Sequence, residues 1–279
     1  MTRRRFLPSP AAVLRHAVLL VASGLVLVPF AWMISTSLKP QSEVFLSEIR
    51  WWPQHLHVVE NYTTAFAKAS LGRFLLNGAI VTVSIFVLQV IVALPAAYAL
   101  AKLRFRGRQT LFLLVLFGLL IPPQAIAVPL FLLFHGLGIL DGYAALIAPF
   151  TISVFGIFLM RQFFMGVPDD LVDAARMDGL SEFGVVWRVM LPTALPAVTA
   201  FGIFSVVAHW NDYFWPLIVV NSPQLFTPPL GVALFRNMEA GTDYGPLMAA
   251  ATVIIAPLVI AFLLAQRRFI EGIAFTGLK

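Results

Sequence analysis

The residues best able to do chemistry run Val167-Pro168-Asp169-Asp170-Leu171-Val172-Asp173-Ala174-Ala175-Arg176-Met177-Asp178-Gly179. After Leu180 they continue as Ser181-Glu182-Phe183-Gly184-Val185-Val186-Trp187-Arg188-Val189-Met190-Leu191-Pro192. Five of the chain's thirteen acids lie here, although only 11% of the chain is charged. The spacing predicts two short helices joined by a turn. Pro168 suits a first helical position, and Asp169 and Asp170 suit the positive end of the helix dipole. Gly179 suits the left-handed position just past the helix end. Ser181 suits the N-cap of the second helix, which Leu191-Pro192 then closes. Ala174 and Ala175 carry so little side chain that another surface can approach closely. On physics alone, the segment is either a docking element or a solvated loop helix.

Other polar residues are sparse. His209-Trp210-Asn211-Asp212 is the most polar patch inside an apolar run. An acid within a membrane is costly and usually faces a cavity or a partner. Counted from Leu195 at ~1.5 Å per residue, Asp212 lies ~25 Å along a helix, so it either lines a path or gate or simply reaches the interface. Asn77, Gln89 and Gln124 are lone amides, read first as interhelical hydrogen bonders and second as substrate contacts. Asn211, Asp212, Trp210, Asn77 and Gln124 are thus the candidates for a translocation path or gate. His55 and His57 have no carboxylate or third His near them, too few ligands for a metal. Asn61-Tyr62-Thr63 fits a glycosylation sequon, a pattern short enough to arise by chance. Gly272 to Lys279 imitates a phosphate loop, but Leu278 stands where Lys must follow the second Gly. With no cysteine, no His-Glu-x-x-His and no Gly-x-Ser-x-Gly, the chain is expected to have no catalytic residue, metal or bound cofactor, and to draw its energy from a partner.

The elements that carry these residues follow from composition. The 279 residues are 60% hydrophobic, and the mean hydropathy is +0.90. Soluble domains carry about 25% charged residues, so this chain has too little polar surface to be a water-soluble globule. Six apolar runs approach the ~20 residues that cross a bilayer. They are 17–34, 75–99, 111–133, 143–160, 194–220 and 244–265. The first follows Arg3, Arg4 and Arg5, and is read as an uncleaved signal anchor. Pro122, Pro123 and Pro129 are expected to break or kink the third. Trp51 and Trp52 suit an interfacial belt. With the N-terminus inside, fourteen Lys and Arg fall in inside segments and five outside, which predicts that both termini are cytoplasmic. The net charge of +6 is therefore topological, and no nucleic-acid partner is implied. The expectation is an all-α membrane protein of six spans, divided into residues 1–70 (arm, first span and outside loop), 71–266 (five-helix core with the loop at about 168–192) and 267–279 (cytoplasmic tail).

The loop resembles the EAA loop of binding-protein-dependent ABC importer permeases, whose pattern is Glu-Ala-Ala, three residues, Gly, nine residues, Ile, one residue, Leu-Pro. Here Asp173-Ala174-Ala175, Gly179, Val189 and Leu191-Pro192 keep every spacing, with Asp for Glu and Val for Ile. Ser37-Leu38-Lys39-Pro40, Asn61-Tyr62, Asn77, the stretch from Pro122 to Pro129, Arg161-Gln162-Phe163-Phe164 and Trp210-Asn211-Asp212 are similar to the carbohydrate-uptake branch, the maltose-type and glycerol-3-phosphate-type permeases. The resemblance implies the type I importer fold and a coupling helix, with Asp173, Ala174, Ala175, Met177, Asp178 and Gly179 at its centre, resting in a groove of a cytoplasmic ATPase. Asp173 would contact that groove or fix the loop. The implied partners are a second homologous permease, two ATPases that bind ATP and Mg, and an extracytoplasmic substrate-binding protein, in a bacterial or archaeal cytoplasmic membrane. Phe275, Thr276 and Gly277 resemble a tail that reaches between the ATPases; a frayed end is the alternative. The implied cargo is a sugar or oligosaccharide, with glycerol-3-phosphate second, because a phosphate would call for Arg or Lys in the spans and they hold essentially none. A self-sufficient secondary transporter is the reading from another class, and the loop argues against it.

Overall fold

A computed structural model describes residues 10–45, 48–68, 70–237 and 241–276. Arg3, Arg4, Arg5, Gly277, Leu278 and Lys279 lie outside them. The helices are α1 (Pro10–Ser37), α2 (Val58–Lys68), α3 (Leu71–Lys102), α4 (Arg108–Gly118), α5 (Pro123–Gly136), α6 (Tyr143–Ile147), α7 (Val154–Met165), α8 (Asp169–Met177), α9 (Glu182–Val185), α10 (Leu191–Trp210), α11 (Phe214–Val219), α12 (Pro228–Val232) and α13 (Tyr244–Thr276). Two antiparallel strands of two residues each, β1 (Arg236–Asn237) and β2 (Gly241–Thr242), and several short 3-10 turns lie between these helices. Among the described residues four helical stretches are long and apolar enough to span a bilayer, and two bent pairs raise the number to as many as six.

The third of the six runs is broken, as its prolines predict, into two helices, α4 and α5, that meet at 97°, and the fourth is a pair bent by 41°, Tyr143–Phe150 and Val154–Met165. Pro122 holds extended backbone before Pro123 opens α5, because neither proline can donate the N–H that would continue α4. The fifth run does not reach Val220: α10 stops at Trp210 and α11 starts at Phe214. Asn211 ends α10, and the Trp215 N–H donates to Asp212 Oδ1 at 3.3 Å.

The chain divides into two compact units. The first is Met1–Ser70 with Leu234–Val253. Here Asn61 Nδ2 donates to the Ser37 and Lys39 carbonyls at 2.9 and 2.8 Å, and Ser37 Oγ lies 3.2 Å from Tyr62 OH. The Ser37–Pro40 turn and the Asn61-Tyr62 pair are thus one structure, and the sequon amide is occupied. Buried Lys39 donates to the Arg50 carbonyl and lies 4.4 Å from the Trp32 ring centroid. His55 and His57 do have carboxylates at hand, contrary to the sequence expectation. Glu43 Oε1 is 2.7 Å from His55 Nδ1, and Glu60 Oε2 is 3.5 Å from His57 Nδ1. Chain reversal after α1 brings Glu43 back, which local spacing does not reveal. Among the described residues no group of three or more His, Asp or Glu could hold a metal.

The second unit is Leu71–Ala233 with Ile254–Lys279. Its centre is α3, which packs along α7 and α10. Leu94, Ala97 and Tyr98 of α3 share a core with Met160 and Phe164 of α7 and with Ala194, Val198 and Phe201 of α10. The opposite end of α3 is closed by α12 through two glycines. A Cβ at Gly231 would sit 2.0 Å from Phe74 Cδ2, and one at Gly78 would sit 2.6 Å from Pro228 Cδ. Gly231→Ala should therefore cost about 1–3 kcal/mol, typical of overpacking. The expected readout is a lower thermal midpoint in detergent; an unchanged midpoint would show that Phe74 repacks freely.

Candidate functional site

The segment 168–192 does form two helices and a turn. Pro168 corrects a detail: it takes the N-cap, with φ −58° and ψ 138°, because the residue before the first acid must still be extended for the chain to enter from Val167. Asp169 and Asp170 fill the first turn of α8. At its C-terminus Asp178 is the C-cap and Gly179 has φ +84°. The Gly179 N–H donates to the Arg176 carbonyl at 3.0 Å, and the Leu180 N–H to the Ala175 carbonyl at 3.1 Å. This pair of bonds is a Schellman cap, which needs the left-handed residue that glycine supplies without penalty. Ser181 caps α9 through its Oγ, which accepts the Gly184 N–H at 3.2 Å.

Leu191-Pro192 does not close the second helix. The helix runs unbroken from Glu182 to Trp210, with a π turn over Val186–Met190 whose last bond runs from the Leu191 N–H to the Val186 carbonyl. Pro192 has no N–H, and its ring would crowd the Arg188 carbonyl in a regular α-helix. The wider turn accommodates the ring and lets the loop and α10 continue as one rod.

One face of this hairpin belongs to the spanning core. Val172 and Ala175 of α8, with Val185, Val186 and Met190, join the Leu94–Tyr98, Met160–Phe164 and Ala194–Phe201 cluster. Val189 and Leu191 pack against it from partly buried positions. The other face is open. Ala174, Asp178, Gly179 and Pro192 are exposed, and so are Met177 at 83% and Phe183 at 70%.

Polar bonds fix the hairpin to α3. Arg176 Nη1 donates to Asp173 Oδ1 at 2.9 Å, and its Nε to Glu182 Oε1 at 3.0 Å. Tyr98 OH donates to Glu182 Oε2 at 2.5 Å and receives Arg176 Nη2 at 3.4 Å. Asp173 is therefore engaged within the loop, and Arg176 is held even further above the usual guanidinium range, chiefly by the Glu182 hydrogen bond. At the start of α8, Lys102 Nζ donates to the Val167 carbonyl at 2.5 Å and to Asp169 Oδ1 at 2.6 Å. That bond holds the Asp169 carboxyl below the ordinary carboxylate range. The tether is in place above the ordinary carboxylate pKa and is lost as pH falls through the lowered value. Sequence reasoning missed Tyr98, Lys102 and Glu182 as members of the site. The one local signal was Arg176, three residues after Asp173 and so on the same helical face.

The residues proposed for the path separate. Asn77 is buried, and its amide is fully used: Nδ2 donates to the Gln224 and Phe226 carbonyls at 2.8 and 3.0 Å, and Oδ1 accepts Tyr143 OH at 2.6 Å. Trp210 is buried with Nε1 on the Ile254 carbonyl at 3.1 Å. Asn211 is exposed, its Nδ2 turned back to the Val207 carbonyl at 2.8 Å. Asp212 is half-buried in the break before α11, and Gln124 is exposed in α5. The tightest intramembrane polar group is one the sequence did not assemble. Ser205 Oγ donates to Gln89 Oε1 at 2.6 Å, and Gln89 Nε2 bonds the Phe150 carbonyl at 2.9 Å and meets His209 Nε2 at 3.1 Å. It joins α3, α10 and the turn before α7. Arg161, read as a cytoplasmic positive, is buried within α7, with Nε on the Leu100 carbonyl at 3.1 Å and its guanidinium 3.7 Å from the Phe112 ring centroid. Phe275 and Thr276 close α13.

Comparison with known proteins agrees with this architecture. Residues 89–274 match the family described as binding-protein-dependent transport system inner membrane component. The arabinooligosaccharides transport system permease protein AraQ of Bacillus subtilis is 34% identical over 262 residues, covering 93% of each chain. The diacetylchitobiose uptake system permease protein NgcG of Streptomyces coelicolor is 31% identical over 271 residues, covering 94% of this chain and 87% of that one. A bacterial ABC transporter involved in the import of the acidic polysaccharide alginate shares the fold, with a TM-score of 0.80 at 24% identity over 94% of this chain and 99% of the other. With its hairpin built into a core of apolar helices and two thirds of its length matched, the chain belongs to the family of inner membrane components of binding-protein-dependent transport systems.

Proposed function

We propose that the chain is one permease subunit of an ATP-driven importer and passes a neutral carbohydrate across a bacterial or archaeal cytoplasmic membrane. The observation that carries this reading is the two-faced hairpin at 168–192. Its inner face is continuous with α3, α7 and α10, and its outer face offers Ala174, Met177 and Phe183 for contact. A push on the outer face is delivered to the spans through packed side chains and the π-turn rod, because packed cores shift between discrete arrangements more readily than they deform. The chain spans the membrane six times with both termini inside, its core at 71–266, as the excess of cations on the inside segments supports, thirteen against five once buried Arg161 is set aside. Its partners are a second, homologous permease, two ATPases holding ATP and Mg, and an external substrate-binding protein. No cofactor binds this chain. Relatives named for oligosaccharides are 31–35% identical and those named for glycerol-3-phosphate 29%, which favours an oligosaccharide. The arginine buried in α7, Arg161, is occupied by a carbonyl and a ring, so it offers a phosphate no free guanidinium.

Mild-detergent isolation of the tagged chain should recover a second permease and a P-loop ATPase. The associated binding protein should bind arabino- or chito-oligosaccharides in calorimetry. Binding of glycerol-3-phosphate alone would reassign the cargo, and transport by the isolated chain in liposomes would reassign the class. We place Asn211 and Asp212, in the break between α10 and α11, at the path or its gate. Asp212→Ala should lower uptake at least tenfold with normal expression; unchanged uptake would remove Asp212 from that role.

A further inference from the structure

Lys102-Leu103-Arg104-Phe105-Arg106-Gly107-Arg108 puts four cations into seven residues. Lys102 is neutralised by Asp169, and Arg108 turns back to the Leu103 carbonyl at 3.1 Å. Arg104 and Arg106 are exposed, and neither is in an ion pair among the described residues. Arg104 feels Asp169 only at a distance, and the carboxyl there already holds Lys102. Arg106 faces no such acid. Two free guanidinium groups thus flank Phe105.

Phe105 in turn lines a groove of about 440 Å³. Its walls are entirely apolar, from Ala96 and Ala99 of α3, Leu114 of α4, and Ile152 and Ile157 beside and within α7. α4 forms one side and has 11 residues. At ~1.5 Å per residue it is about 16 Å long, half of the ~30 Å hydrocarbon core. It then turns by 97° into α5. The groove itself touches α4 from Leu111 to Val115, ~6 Å of helix at ~1.5 Å per residue, and the free cations lie at its Phe105 end. That end is on the side of the coupling hairpin, because Lys102 holds Val167 and Asp169.

We propose that this groove binds an anionic phospholipid, with one acyl chain along α4 and the phosphate against Arg104 and Arg106. An apolar slot between α3, α4 and α7 that takes part of an acyl chain, with an unneutralised cation pair at its mouth, matches that molecule in both polarity and charge. A zwitterionic lipid would match the slot alone. Basic clusters beside membrane helices attract anionic headgroups in the same way. The site is independent of what the importer carries.

The test uses the full-length chain, delipidated in mild detergent and titrated with palmitoyl-oleoyl phosphatidylglycerol or the phosphatidylcholine of identical chains, with adducts counted by native mass spectrometry. The first phosphatidylglycerol should bind at least tenfold more tightly than the first phosphatidylcholine. Arg104→Gln with Arg106→Gln should bring the two to parity, and Arg104→Lys with Arg106→Lys should keep most of the difference. Leu114→Trp, which fills the slot, should lower the first-site affinity of both lipids several-fold. Equal affinities in the native chain, a preference that survives the double glutamine change, or a first site untouched by Leu114→Trp would each overturn the proposal. So would an assembled complex with the second permease in which this first site no longer takes phosphatidylglycerol, since the groove would then be a subunit contact.

Discussion

Gly179→Val is expected to reduce substrate uptake at least tenfold while insertion and expression stay normal. The reason is conformational. At φ +84° nothing lies within 4 Å of where a Cβ would sit, so valine meets no neighbour. It meets its own backbone, since a β-branched residue at positive φ is an outlier. The left-handed conformation costs an ordinary residue about 1–2 kcal/mol, and the cheapest relief is to abandon the Schellman bonds from Gly179 to Arg176 and from Leu180 to Ala175. Ser181 and α9 would then leave their register with α8. Because the strain is local and the site exposed, the spans should still assemble. Gly179→Asn should retain most uptake, because asparagine tolerates this conformation. Uptake and substrate-stimulated ATPase activity measured together on the reconstituted complex check the idea. A valine variant normal in both would show that the hairpin turn does not transmit movement.

Arg176→Ala is expected to be the second severe change, and a Tyr98→Phe variant separates its causes. Arg176 is the one side chain that bonds Asp173 at the start of the motif, Glu182 in α9 and Tyr98 in α3. It is more than a third exposed, so its bonds are screened and the loss of stability should be modest, roughly 1 kcal/mol. The loss of uptake should be larger, several-fold to tenfold, because the polar link between hairpin and span is what disappears. Tyr98→Phe keeps the buried ring in the α3 core and removes only the hydroxyl that donates to Glu182. A bond to a charged group is worth about 1.5–3 kcal/mol when buried and less at this half-open site, so the thermal midpoint should fall slightly. Combining Arg176→Ala with Glu182→Ala should cost less than the two single changes together, since residues in one network couple. Strict additivity would mean that the two side chains act separately.

The two variants probe parts of the molecule that were unequally legible. Gly179, Ser181, Asp169 and Asp170 could be read from order along the chain because capping is a short-range affair: a donor, an acceptor and one unusual dihedral angle lie within five residues. The family motif was legible for the same reason, as spacing. Pro192 was misread because a proline has two outcomes, an end or a widened turn, and burial of Val185, Val186 and Met190 against the spans chose the second. Glu182 and Tyr98 are 84 positions apart and Lys102 and Asp169 are 67 apart. No local pattern pairs them, because each partner is supplied by the return of the chain through the bilayer. The same holds for Gln89, a lone amide in its run, which meets Ser205 and His209 only once α3 and α10 pack.

By itself, then, the amino-acid sequence determined that this chain is an apolar multi-helix membrane protein with a capped, charged hairpin of the importer-permease pattern, since composition, hydropathy and capping act residue by residue or within a helical turn. The tertiary structure alone decided which face of that hairpin is buried, that it continues into α10 through a π turn, that the proline break in the third run turns through 97°, and which lone polar groups find each other. Those outcomes depend on helix packing, where a buried donor or acceptor must find its partner wherever the fold brings one within reach.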